Sequence, residues 1–173
     1  MANEALSTNS IALIALANEY CHAIETIEEA EEPEAFIASM LKMLPRIYIT
    51  ASDVTTAIDE DESYYVESYL DEITYDQVRS HIAEMMGDED TYLEVFEEDM
   101  KYSDTPIAVT VSESLADIYQ DLYNFVAAVK DAPTEAQQEI IGQCKQNFDN
   151  YWGQTLCNVL RALHNIRYGR GLE

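Results

Sequence analysis

Two aspartates one helical turn apart, Asp117 and Asp121, lie in the segment ESLADIYQDLYNF, and Arg161 and His164 lie in RALH, nearer the C-terminal end. If the helices carrying them are neighbours, the four side chains form a polar cluster in which a carboxylate orients an imidazole, the arrangement that general acid–base chemistry uses. The plainer outcome is a helix-to-helix ion pair that fixes packing. No Gly-rich phosphate loop, nucleophile elbow or metal signature accompanies these residues, so catalysis is the alternative reading and no catalytic residue is assigned.

Two further patterns resemble metal sites and fail on geometry. Glu19-x-x-His22 has the spacing of a di-iron half-site, but such bundles need a second Glu-x-x-His, and neither His81 nor His164 has a glutamate three residues earlier. Both residues also lie opposite the apolar face of their helix, which places them in solvent. The stretch DEDESYYVESYLDE, 59–72, packs seven carboxylates and three tyrosines into fourteen residues. Counted as an EF-hand loop from Asp59, it has Tyr64 where the sharp turn requires Gly and Leu70 where a bidentate Glu is required. Counting from Asp88 puts Leu93 and Asp99 in those places. No metal or cofactor is therefore expected.

The acidic stretch has another use. Tyrosine offers large contact area at low entropic cost and carboxylates steer basic partners, so Asp59, Asp61, Tyr64, Tyr65 and Tyr69 form a candidate interaction surface. The alternatives are a solvated loop whose tyrosines fold back on the core, and nucleic-acid mimicry, with carboxylates standing in for phosphates on a basic DNA-binding protein.

Composition bounds these readings. The 173 residues carry a formal charge of −25, divided unevenly: residues 1–100 hold 25 acids against three bases, and 101–173 hold nine against six. The first part would be repelled by a phosphate backbone and by anionic lipid, which disfavours direct nucleic-acid binding and membrane association and favours a basic protein partner. The apolar run Ile11 to Ala17 is preceded by Glu4 and not by the basic residues a signal peptide needs. No apolar run approaches the roughly 20 residues that span a bilayer. Three cysteines without paired spacing fit a reducing cytoplasm.

The elements that must position these residues are helical. Gly and Pro are scarce, and apolar side chains recur at helical period over about 9–29, 33–50, 74–86, 113–130 and 135–168. Asn9 or Ser10 can cap the first helix, which buries Leu13, Leu16, Ala17, Tyr20, Ile24 and Ile27. The second opens on Pro33, buries Phe36, Ile37, Met40, Leu41, Leu44, Ile47 and Tyr48, and should kink at Pro45. Thr74 and Gln77 make a capping box for the third, closed by Gly87 in a positive-φ conformation. Residues 88–111 read as an ordered loop, with a turn of helix around Tyr92 to Phe96 and an extended piece after Pro106. Ser112 caps the fourth helix, which buries Leu115, Ile118, Tyr119, Leu122, Phe125, Val126 and Val129.

The last helix, capped by Thr134 and ended by Gly169, would be about 50 Å long at 1.5 Å per residue, so a break is expected near Gly142 or Asp149. Opposite its core face, Gly153, Cys157, Leu160 and His164 follow one line. A small residue followed by apolar and polar ones suits close approach by another helix, inside the bundle or in a homodimer.

The segments ESLADIYQDLYNF and NFDNYWGQTLCNVLRALH, with TYLEVFEED and MLPRIY, resemble an uncharacterised bacterial family known only as a domain of unknown function, number five thousand and sixty-three of that series. LADIYQDL, YWG and RALH carry the likeness, which runs from the first helix to His164; members often have His where this chain has Tyr151. The resemblance implies an all-helical fold and no biochemical function. The expectation is thus an all-α, single-domain, cytoplasmic bundle of about five helices that works as an acidic interaction or adaptor module.

Overall fold

The computed structural model describes residues 5–29, 32–55, 67–94 and 105–169. Six helical segments follow in order: α1 (Thr8–Glu25), α2 (Pro33–Asp53), α3 (Glu72–Met86), α4 (Val111–Asp131), α5 (Gln137–Asn147) and α6 (Gly153–Tyr168). A π-turn, Phe148–Trp152, joins the last two into one helix, so the bundle is all-α and has five rods. The one departure among the described residues is a two-stranded antiparallel pair, β1 (Thr91–Leu93) with β2 (Ala108–Thr110), in register Thr91↔Thr110 and Leu93↔Ala108.

α4 is the central rod, packed against α1, α3, α5 and α6, while α2 closes the bundle between α1 and α6. A helix with neighbours on most sides needs more than a narrow apolar stripe. Accordingly Leu115, Ile118, Tyr119, Leu122, Phe125, Val126 and Val129 are all buried as their spacing predicts, and Val111, Ala116 and Ala128 join them. Two hydroxyls fasten α1 to it. Tyr20 donates to the Leu115 carbonyl at 2.7 Å and Tyr119 to Glu25 at 2.8 Å.

Every apolar residue expected on the inner face of α1 is buried, with Ile27 reached by a short 3₁₀ turn after the α-helix has ended. In α2 the helix runs on through Pro45, Leu41 is half-buried and Tyr48 is exposed. The Tyr48 ring still contacts Phe148 edge-on at 5.1 Å.

Caps lie earlier than expected at three helices, for one reason: an acceptor just upstream reaches the first free amides. Ser7, and neither Asn9 nor Ser10, accepts the Ser10 N–H; the Asn9 side chain instead donates to the Asp53 carbonyl at the end of α2. Asp71 replaces Thr74 by accepting the Thr74 N–H at 2.7 Å, a bond that holds its carboxyl below the usual range. Thr110 replaces Ser112, because Asp90 takes both the backbone N–H and the hydroxyl of Ser112 at 2.8 and 2.7 Å.

That grip also explains the strand. The turn of helix expected around Tyr92 is extended chain, held by pairing with Ala108–Thr110 and by a 2.8 Å hydrogen bond between the Tyr92 and Ser114 hydroxyls. Phe96 lies outside the described residues. Gly87 has the expected positive φ of 56°. Gly169 does not, with φ −76°. A 3₁₀ turn, Thr134–Ala136, occupies the expected cap of the last rod. Among the described residues no helix is long and apolar enough to cross a membrane.

Candidate functional site

The break expected near Asp149 is a change of pitch. From Asn147 to Gly153 the backbone stays in the right-handed helical region while Phe148–Trp152 winds as a π-turn, a feature common at functional sites. Gly153 makes room for it. A Cβ there would lie 2.6 Å from the Phe148 carbonyl oxygen and 3.0 Å from its ring. The glycine therefore serves an approach within its own helix.

The turn carries Trp152 inward. Its ring meets Phe148 edge-on at 4.8 Å, the residue is 1% exposed, and its indole N–H finds no acceptor among the described residues. Trp152 lines a cleft of about 90 Å³ with Asp121, Asn124 and Phe125 of α4 and Ile140, Cys144 and Asn147 of the last rod. Such a volume has room for several waters or a small molecule.

Asp121 is the charged group of this cleft. Burial, and secondarily the Asp117 carboxylate one turn away, raise its carboxyl to about 6. Among the described residues it has no ion-pair partner, and its charge adds to the burial that pushes the Cys144 thiol up. A carboxyl perturbed by desolvation inside a cleft is the usual mark of a working site. Asn124 closes the cleft's upper edge: its carbonyl oxygen accepts the backbone N–H groups of Tyr69 and Leu70, both at 2.9 Å.

Asp121 therefore belongs to a different neighbourhood from the one its sequence position suggests. Asp117 is exposed and accepts the Tyr75 hydroxyl at 2.6 Å, raising that phenol together with burial. Arg161 donates to the Leu93 carbonyl at 3.1 Å, and His164 is exposed with its ring 4.8 Å from Tyr168. No ion pair joins Asp117 or Asp121 to Arg161 or His164 among the described residues. The expected acid–base cluster is not assembled, because α4 and α6 present these side chains to different neighbours.

The remaining candidates are scattered. Asp59, Asp61, Tyr64 and Tyr65 lie outside the described residues. Tyr69, where the acidic stretch rejoins the bundle, donates its hydroxyl to Asp131 at 3.2 Å. Cys157 is exposed, and partial burial pushes its thiol up. Glu19 and His22 face solvent. Trp152, Asn124, Asn147 and Cys144 carry no pattern of their own in the sequence. The only signal pointing at them is a lone tryptophan followed by glycine.

Two predictions follow from this geometry. Arg161→Ala is expected to cost at most about 1 kcal/mol, the value of one exposed hydrogen bond, with no measurable coupling to Asp117→Ala or Asp121→Ala in double-mutant cycles. Coupling above about 1 kcal/mol would restore the cluster. The second concerns pH. With its carboxyl raised in the folded state, the native protein holds this proton after the unfolded chain has lost it, so stability falls between about pH 4 and 6 and stays lower above. Asp121→Asn removes that slope, and chemical denaturation should find the variant more stable by about 2 kcal/mol at pH 7, discounted for the open mouth, and equal to the parent below pH 4. Equal stability at both pH values would show that the carboxyl is not desolvated.

A single-cored helical bundle with a central α4, a hairpin cap and a π-bulged last rod is the class that this fold and cleft define. The chain belongs to the family described as a domain of unknown function, DUF5063, whose model matches residues 4–169. Among solved structures it is similar to the crystal structure of protein BF1032 from Bacteroides fragilis, at 29% identity and a TM-score of 0.82, over 96% of this chain and 97% of that one. The comparison with curated proteins finds no match.

Proposed function

We propose that the protein is an acidic interaction module of a reducing compartment such as the cytoplasm, binding a basic segment of a partner protein that carries apolar anchors. The observation that supports it is uncompensated charge. Against 34 acids the chain has nine Lys and Arg, and the ion pairs seen between described residues, Asp76–Arg79, Glu28–His81 and Asp149–Lys145, each have at least one well-exposed member. Such a field raises the encounter rate with basic partners and repels nucleic acid and anionic lipid. All three cysteines are free, which suits reducing conditions.

A groove of about 470 Å³ supplies the apolar half of the contact. It opens between the ends of α2, α3 and α6 and is lined by Ile37, Met85, Met86, Ile166 and Tyr168, with Glu34 beside them and with Arg167 turned onto the Tyr168 ring. Flexible methionine side chains adapt to varied apolar anchors, and the Glu34 carboxylate matches a lysine flanking them. A short amphipathic lysine/leucine peptide, compared by calorimetry with its scrambled sequence, tests the reading. Saturable binding that weakens with salt and drops about tenfold in Met85→Glu is expected. Equal binding of the scrambled peptide, or no loss in Met85→Glu, would reduce the effect to bulk charge and remove the groove.

A further inference from the structure

We propose that the cleft between α4 and the π-turn is a binding site for a small organic cation, the primary ammonium or guanidinium group of an amine or of a partner's lysine or arginine side chain. It is separate from the Met85/Met86 groove, and only the second source rests on the module reading above.

Three features of the cleft converge on that chemistry. The first is Asp121, a half-buried carboxylate with no cationic neighbour among the described residues, on a protein of net charge −25. A desolvated charge without a counter-charge is costly, and a cation that enters with it removes that cost. The charged and titratable groups around it add to the demand. Asp117 on its own helix is a second carboxylate, and Cys144 across the cleft is a thiol kept neutral by burial. Lys145, the nearest cation in sequence on the facing rod, is engaged with Asp149 at 2.5 Å and lies over the Phe148 ring.

The second feature is aromatic surface. Phe125 and Trp152 both line the cleft, and aromatic side chains beside a carboxylate suit a desolvated ammonium or guanidinium. The third is size. A space of about 90 Å³ admits a methylammonium or guanidinium head. An inorganic cation fits less well, because the described residues contain no group of three His, Cys, Asp or Glu side chains able to hold a metal.

Trp152 is the only tryptophan in the chain, so its fluorescence reports on this site alone. The test titrates methylammonium and guanidinium chlorides at constant ionic strength, with sodium chloride as the reference salt. A saturable change is expected at pH 7.5, weakening up to about tenfold per pH unit below pH 6 as protons compete for Asp121, and absent in Asp121→Asn. A response equal to that of sodium, or one that persists in Asp121→Asn, overturns the proposal. Because the variant is expected to be more stable than the parent, its silence would not reflect unfolding. A second arm adds the lysine/leucine peptide. Competition with methylammonium assigns the cation to a partner's lysine, and independent binding assigns it to a free amine. Peptide binding that survives Asp121→Asn while the small cations fail to bind sinks this inference and leaves the groove standing.

Discussion

Gly153→Ala is expected to destabilise the protein by about 3 kcal/mol, although the same change in an ordinary helix interior stabilises by about 1. The two numbers differ in sign, which makes the measurement decisive. In a regular α-helix alanine removes the conformational entropy that glycine loses on folding. Here the new Cβ would stand 2.6 Å from the Phe148 carbonyl oxygen, and backbone cannot swing aside as a side chain can. The π-turn must unwind or the two segments it joins must shift, and either change withdraws Trp152 from its place against Phe148. Urea unfolding, with tryptophan fluorescence as the readout, gives both the stability and the environment of the indole. A raised midpoint would show that the turn relaxes to a regular helix at little cost. Truncating Phe148 as well should recover only part of the loss, since its ring at 3.0 Å is the smaller of the two obstacles.

Asp90→Ala is expected to cost a similar amount, about 3 kcal/mol, or roughly 10 °C in Tm for a domain of this size. The carboxylate takes two charge-assisted hydrogen bonds from Ser112, a residue only 1% exposed, and the Asp90 backbone carbonyl accepts the Val111 N–H at 2.7 Å. Removing the side chain strands a buried N–H and frees the start of α4, the rod that packs against α1, α3 and both segments of the last rod. Asp90→Asn retains an acceptor for the Ser112 N–H and should cost about 1 kcal/mol. If alanine and asparagine prove equally harmless in thermal unfolding, the cap is held by Thr110 alone.

Both residues had to be seen in place to be understood. Asp90 is one of 34 acids and sits among Asp88 and Glu89, with nothing to mark it. Its partner follows 22 residues later, across a connection that includes undescribed residues. Gly153 is conspicuous in YWG, and its line with Cys157 and Leu160 predicts a helix-contact residue. The line through Cys157, Leu160 and His164 assumes a uniform period from Gly153 onward. Leu160 and His164 do border a groove against Ala38, Leu41 and Pro45 of α2, so that part of the stripe faces another helix, whereas Gly153 faces its own turn.

What the sequence by itself determined is the set of rods and their buried faces. Every residue expected on the inner faces of α1 and α4 is buried, because burial follows from a repeating local period and any packing of these helices must cover the same stripe. The family could also be recognised from LADIYQDL, YWG and RALH, since residues at fixed spacing survive whatever the fold does with them. The tertiary structure alone decided which polar groups meet. Asp117 and Asp121 are four residues apart on one helix, yet one reaches the Tyr75 hydroxyl of α3 and the other a cleft walled by Cys144 and Trp152. Small differences in direction around α4 send adjacent turns to different neighbours, and those neighbours are set by how five rods pack at once. A carboxyl in solvent and a carboxyl raised by burial are the same letter in the chain. Only the distance to water, which no local pattern encodes, separates them.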